Sequence, residues 1–396
     1  MSLIEEEPHY EDPGEHSPSA LRGSDDGVAA VSGSDVHGTE VSAVNEALWL
    51  LDVRGSFEVR TSAHPTPGAG QVVVRVRAVA VNPVDAITGQ FRRLVTPWIR
   101  YPTVIGTDVA GEITAVGDGV TRFQAGDRVV GYAAGQERLR NDSAEGGFQR
   151  YVTVLERVCA ELPDDVTFEQ AAVLPLGVST AAAGLYEKDQ LALPFPTFSP
   201  SPRGEVILVW GASTSVGSNA VQLARASGYT VIATAGRRNH DFVRSLGAEA
   251  VFDYRDHDVD RQIVEALGHR HLAGTMAIGG GSLTHALRIA GRTTGTKRIA
   301  SAYPDPLTRV RSLLARARGI RVTSIWGGTP VQSPVGPAIF RDFLPFALGS
   351  GQFRPAPDPR VFGVGLEQVP GALAALRNGV SATKLVVTID PEEINS

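Results

Sequence analysis

The stretch Gly211-Ala212-Ser213-Thr214-Ser215-Val216-Gly217 directly follows the apolar run Val206–Trp210 and is small at nearly every position. Small residues between a strand and a helix let backbone amides approach a phosphate that larger side chains would exclude. Beyond the turn, Val216, Ala220, Leu223 and Ala224 recur at helical spacing, Gly228 ends the pattern, and Thr230–Ala235 reads as a second buried strand. Strand, glycine turn, helix and strand within about thirty residues form the unit that lays a dinucleotide pyrophosphate on a helix N-terminus. Spaced glycines can also serve only to turn a chain, so it is the context that points to a cofactor. Where an NAD site usually carries a carboxylate for the ribose 2′-hydroxyl, this chain has Gly236-Arg237-Arg238-Asn239. Two guanidiniums there suit a 2′-phosphate, the bland reading being a solvated surface pair. The expected cofactor is NADPH.

The elements that must hold this unit are legible on both sides of it. Ala47–Val53 and Phe57–Ser62 pattern as paired strands around Arg54-Gly55-Ser56, and Gln71–Asn82 as a long strand. In that strand Val72, Val74, Val76, Ala78 and Ala80 would share one face, with Arg75 and Arg77 on the other. Further glycine-punctuated strands over 106–117, 126–131 and 146–154 make residues 45–160 a twisted, β-rich sheet. From Phe168 the period turns helical, with short pieces at Glu169–Leu174 and Thr180–Glu187 framing a non-helical Pro175–Ser179. A proline-rich loop over 188–204 precedes the dinucleotide unit. Strands at Glu249–Asp253, Thr275–Gly279, Arg298–Ala302 and Ile320–Trp326, with a helix at Ser282–Ala290, extend it into a doubly wound parallel sheet. Helices Ala338–Leu348 and Leu366–Asn378 and strand Lys384–Ile389 then return to the first domain. The expected division is a tail over 1–44, a catalytic domain over 45–177, a nucleotide domain over 178–335 and a return segment over 336–396.

Composition narrows the partners. The 396 residues carry 37 Lys and Arg against 43 Asp and Glu, a net charge of −6, which offers no footprint for nucleic acid or an anionic membrane. No apolar run approaches the ~20 residues of a membrane helix. The single cysteine, Cys159, rules out an internal disulfide and a multi-cysteine zinc cluster. Residues 1–44, rich in Glu, Asp, Ser, Gly and Pro, read as a disordered acidic tail without a signal-peptide pattern, so a cytoplasmic location is expected.

Asn82-Pro83-Val84-Asp85, Gly106-Thr107-Asp108 with Gly111, Gly126-Asp127-Arg128-Val129 and Gly146-Gly147-Phe148, followed by Gly211–Gly217, Leu246-Gly247-Ala248 and Asp253-Tyr254, resemble the medium-chain dehydrogenase/reductase superfamily. The resemblance covers about residues 45–390. It implies an α/β protein with an N-terminal GroES-like catalytic domain and a Rossmann domain. Within the superfamily the chain looks most like the zinc-free quinone oxidoreductase and enoyl reductase branch. Ala192-Leu-Pro-Phe-Pro and Ala277-Ile-Gly-Gly-Gly-Ser look closer still to fungal-type cellobiose-inducible oxidoreductases, often labelled zinc-binding. The resemblance places Thr180 by the nicotinamide and Tyr254 by the adenosine 2′-phosphate, the alternatives being a helix-start threonine and strand-end packing. Gly279, Gly280 and Trp326 are expected to complete the cofactor surface.

Zinc alcohol dehydrogenases of this superfamily bind metal through Cys, His-Glu and a further Cys or Asp. Those positions fall here at Asn82, Thr107-Asp108 and near Leu176, with the proton-relay hydroxyl falling near Val84. Only Asp108 is a zinc donor, so no metal is expected. Without a Lewis acid, oxidation of an unactivated alcohol lacks a stabiliser for the alkoxide. A quinone or an α,β-unsaturated carbonyl delocalises the charge of an incoming hydride onto its own oxygen. The protein then has to position NADPH, exclude water and donate one hydrogen bond. Asn82 and Thr107 are the candidate donors, unless both are capping groups, and Asp85 is read as a loop-holding residue. Enoyl thioester reductases of the superfamily place a tyrosine where this chain has Phe91, which favours a quinone or enone over a thioester. The rival readings are an NADPH-binding structural or regulatory protein with little turnover, and a zinc-dependent alcohol dehydrogenase. Pairing of the Ile320–Trp326 edge between two subunits would give a homodimer.

Overall fold

The computed structural model describes residues 44–302 and 308–389; the expected acidic tail lies outside them, apart from Val44. The first half is β-rich, as its alternating apolar pattern requires. Strands β1 (Asn45–Leu50) and β2 (Phe57–Ser62) form an antiparallel pair, then come β3 (Gln71–Ala80), helices α1 (Pro83–Ala86) and α2 (Gly89–Val95), and β4 (Thr103–Val104). Strands β5 (Asp108–Val116), β6 (Arg128–Tyr132), β7 (Tyr151–Leu155) and β8 (Cys159–Glu161) follow, before helices α3 (Phe168–Ala171) and α4 (Pro175–Tyr186).

The second half alternates strand and helix. It runs β9 (Val206–Trp210), α5 (Ser215–Ala226), β10 (Thr230–Thr234), α6 (His240–Ser245), β11 (Ala250–Phe252), α7 (Val259–Leu267), β12 (Leu272–Ala277), α8 (Ser282–Ala290), β13 (Arg298–Ser301), α9 (Thr308–Arg316) and β14 (Arg321–Ser324). The chain closes with α10 (Val335–Phe340), α11 (Leu344–Gly349), β15 (Asp358–Val364), α12 (Val369–Arg377) and β16 (Thr383–Thr388). The six strands β9 to β14 make one parallel sheet in the order β11-β10-β9-β12-β13-β14. This is the doubly wound Rossmann order, whose direction reverses between β9 and β12. The second sheet, antiparallel except for the parallel pair β15–β16, runs β15-β16-β3-β5-β6-β8, so the last described strand pairs with β3 of the first half.

Four local expectations are corrected. The face of β3 is not continuous: Val72, Val74 and Val76 pack in one core with Val79 and Val81, whereas Ala78 and Ala80 pack in another. A register shift against β5 between Val76 and Ala78 rotates the pleat there. Pro175–Ser179 is the first part of α4 rather than a break, because a proline at the first helical position gives up no intrahelical bond. The single helix expected over Ala338–Leu348 is two, α10 and α11, with Pro345 in the first turn of α11. Strand β15, mostly exposed, has no counterpart in the sequence reading.

Candidate active site

The carboxyl ends of all six parallel strands lie along one edge, and the residues with chemistry collect there. Gly211 follows β9 and donates its amide to the Thr234 hydroxyl (3.1 Å), while the Ala212 amide bonds the Thr234 carbonyl (2.8 Å). The turn then tucks under α5. A Cβ on Gly217 would stand 2.2 Å from the Gly211 carbonyl oxygen, so only glycine lets helix and strand approach this closely. Thr214 caps α5 by accepting from the Gly217 amide (3.0 Å). By the geometry of a helix start, the amides of Ser215 and Val216 have no acceptor within α5 and face the crevice that opens at the strand-order reversal. Ser213 and Thr214 are not buried. Across the reversal, Gly279 and Gly280 follow β12, with Gly279 at φ +91° and open space on its Cβ side.

At the end of β10 the arginines stand free of carboxylate clamps. The Arg237 side chain is 80% exposed, and its ion pair to Asp256 is a long 3.9 Å. The nearest buried carboxylate, Asp253, accepts from the backbone amides of Arg237 (3.3 Å) and Arg255 (3.1 Å) and so fixes both loops. Arg255 lies over the Tyr254 ring at 5.0 Å, and its guanidinium nitrogens reach within 3.7 Å of where a Gly236 side chain would begin. Arg238 is exposed, and Asn239 bonds the Ser381 hydroxyl (3.0 Å). Arg255 thus joins the pair seen in the sequence. It lies some eighteen residues downstream on another strand end, directly after the Tyr254 that the resemblance places by the 2′-phosphate.

The first half contributes a buried polar cluster. The Asn82 side-chain amide donates to Asp108 (2.8 Å) and to the Thr107 hydroxyl (3.2 Å), so both of its hydrogens are engaged. The hydroxyl hydrogen of Thr107 has no acceptor among the described hydrogen bonds. Asp108 is fully buried, accepts from the Leu176 amide at the start of α4 (2.6 Å) and forms an ion pair with Lys384 of β16. Lys384 also bonds the Val173 carbonyl (3.1 Å). One turn along α4 from Leu176 stands Thr180, 9% exposed, and Gly327 packs against both residues. Asp85 caps its own turn by accepting from the Asn82 amide (3.0 Å) and also accepts from Gln136 (2.9 Å). Burial pushes its carboxyl up to about 6, against those two bonds. Glu137, 6% exposed, accepts from Tyr132 (2.7 Å) and from the Trp326 indole (2.7 Å), and burial raises it above the usual carboxylate range. Lys384 and Glu137 escaped the sequence reading. A lone lysine in an otherwise apolar strand was a signal for the first; nothing marked the second.

The metal positions are now testable on their chemistry. Asn82 and Thr107 present an amide and a hydroxyl, Leu176 offers no donor, and the one carboxylate, Asp108, already holds an ammonium. Among the described residues no cluster of three His, Cys, Asp or Glu could hold an ion. The site does not fit zinc.

The family profile of the alcohol dehydrogenase GroES-like domain matches residues 68–164, and that of the zinc-binding dehydrogenases matches residues 215–344. The dehydrogenase pigH of Monascus ruber is 43% identical over 87% of this chain and 99% of its own. The trans-enoyl reductase himH of Aspergillus japonicus is 40% identical over 89% of this chain and 99% of its own. Among solved structures, an alcohol dehydrogenase superfamily protein from Novosphingobium aromaticivorans matches with a TM-score of 0.68 at 25% identity. The match covers 87% of this chain and 100% of that one.

Proposed function

The chain belongs to the medium-chain dehydrogenase/reductase superfamily, and from that premise we propose that this oxidoreductase reduces the conjugated double bond of an α,β-unsaturated carbonyl with NADPH and without a metal. The observation that carries the reading is the Lys384–Asp108 pair beside Thr107, which removes the one metal donor and leaves a hydroxyl to serve the acceptor oxygen. The name of the himH relative points to the same class of acceptor. A quinone, with the same charge flow onto oxygen, is the second acceptor.

NADPH, when bound, supplies the hydride for the β-carbon of the acceptor. The Gly211–Gly217 turn, with Gly279 and Gly280 opposite, would hold the pyrophosphate. Arg237, Arg238 and Arg255, with Asn239 and Tyr254 beside them, would hold the 2′-phosphate. Thr180 would flank the nicotinamide. Asn82 orients Thr107 by donating to its oxygen, which turns the hydroxyl hydrogen toward an acceptor oxygen that gains charge as the hydride arrives. Lys384 cancels the Asp108 charge that would otherwise oppose this. Solvent delivers the proton to the α-carbon. The acceptor assignment is tested with benzylideneacetone and NADPH deuterated at the transferred position. The saturated ketone labelled on the β-carbon is expected, and Thr107→Val should lower kcat roughly 100-fold, the usual cost of an oxyanion donor. An allylic alcohol as the product would overturn the assignment.

The proposed assembly is a two-fold homodimer through β14, the edge of the parallel sheet. Helix α9, just before that edge, exposes Val310, Leu313 and Leu314 on one face, an apolar surface that a second copy would cover. The proposed location is the cytoplasm, where the one buried cysteine, Cys159, would stay a thiol; no described helix is long and apolar enough to cross a membrane.

A further inference from the structure

Two tryptophans from distant parts of the chain meet beside the proposed nicotinamide position. Trp98 stands between α2 and β4, Trp326 just after β14, and their rings pack edge to face at 5.7 Å and 77°. Neither ring is fully buried. Gly327, next to Trp326, packs on Leu176 and Thr180, so Trp326 is one residue from the backbone that flanks the proposed nicotinamide position.

What fixes the pair is a single dipeptide. The Trp98 indole donates to the Gln136 carbonyl (2.9 Å), and the Trp326 indole donates to the Glu137 carboxylate (2.7 Å). Glu137 is itself anchored by the Tyr132 hydroxyl of β6 (2.7 Å). It sits where Gly328 makes room: a Cβ there would fall 1.9 Å from a carboxylate oxygen. Gln136 is tied in turn to Asp85 (2.9 Å). Both indole N–H groups are therefore spent on the protein, and what the rings still offer is flat, apolar and held in orientation. Helix α2, which leads into Trp98, adds exposed Phe91 and Leu94.

We propose that Glu137 is a positioning residue that holds Trp326 against Trp98, and that the two rings form a rigid corner whose open ring face is a wall selecting flat, extended conjugated acceptors over compact ones. The proposal rests on the reductase reading above for its chemistry, but not for its binding. A small enone reaches Thr107 without touching the wall, whereas an acceptor bearing an aromatic or polyene tail stacks on it.

The test compares benzylideneacetone with methyl vinyl ketone. Trp98→Ala is expected to lower the ratio of their kcat/KM values about threefold to tenfold, the size of an aromatic contact. Glu137→Ala should lower the ratio similarly through KM for the extended acceptor, while Glu137→Gln should restore it, since an amide can accept from Trp326 and donate to Tyr132. Gly328→Ala, which expels the carboxylate, is the second route if Glu137→Ala does not fold. A ratio unchanged by Trp98→Ala, or equal loss for both acceptors in the Glu137 and Gly328 variants, would overturn the proposal. Equilibrium quenching of tryptophan fluorescence by benzylideneacetone, with Trp49→Phe as the control, reads the wall without turnover. If the unmutated protein reduces neither ketone, the reductase reading fails. Quenching weakened by Trp98→Ala would then still support the wall, and unaltered quenching would refute it.

Discussion

At the scale of the residue, the site is arranged around buried charges of unequal fate. Asp108 is paired with Lys384, whereas Asp85 has no ion pair, and hydrogen bonds from Gln136 and Asn82 with the nearby Arg92 charge only partly offset its full burial. Its carboxyl is pushed up from the ordinary 3.8 to about 6, so the folded protein holds a proton that the unfolded chain releases between those values. Stability from this group is present below about pH 4 and is lost as pH rises through about 6. A difference of that size between the folded and unfolded chain is worth on the order of 2–3 kcal/mol. Asp85→Asn should therefore flatten the fall in stability between pH 4 and pH 7, measured by urea unfolding at each pH. An identical pH profile for both proteins would show that Asp85 does not carry the titration. That Asp85 holds structure was legible from Asn82-Pro83-Val84-Asp85, a capping spacing. Its partner Gln136 was not, being fifty-one residues away and brought in by the fold.

At the scale of the element, the decisive unit is β9, its turn and α5. This unit is local in sequence, and its residues interact mainly with their near neighbours, which is why it could be read without a structure. Gly217→Ala tests it: the added Cβ meets the Gly211 carbonyl and the Ala212 backbone, so α5 must move off the turn. We expect NADPH binding, followed by calorimetry, to weaken at least tenfold while the far-ultraviolet circular dichroism is kept, since a 1.4 kcal/mol distortion already costs that much. Retained affinity would mean that the amides of α5 do not hold the cofactor. The misread elements share a cause. Pro175–Ser179 was read as lying between two helical pieces, but the proline starts α4, and Gly177 is needed within it because a Cβ would meet Ser215 and Asn219 of α5. Likewise the pleat of β3 turns over at a register shift set by its partner β5, and no pattern within β3 records its partner. Lys384 and Glu137 belong to the same class: each is brought in by the fold from a segment that no motif marked.

At the scale of the molecule, two halves built on different periodicities both contribute residues to the proposed site. Thr107 and Glu137 come from the β-rich half; Thr180 and Trp326 lie on or follow elements that pack on the parallel sheet. The return of β16 to β3 is what delivers Lys384 to Asp108, so β16 contributes to the proposed site. The outer edge at β14 with the apolar face of α9 carries the proposal of a dimer. Leu313→Glu, on an exposed position, should halve the mass measured by light scattering at micromolar concentration without altering the fold. An unmutated protein that is already monomeric would contradict the assembly. The central claim, reduction of a conjugated carbonyl by NADPH, is tested most directly by the kcat/KM of the purified protein for NADPH and for NADH with benzylideneacetone as acceptor. Charge-assisted bonds from the arginines at the end of β10 predict a preference for NADPH of about tenfold or more, eroded by Arg237→Glu. Equal values for the two nucleotides, or no oxidation of either, would contradict it.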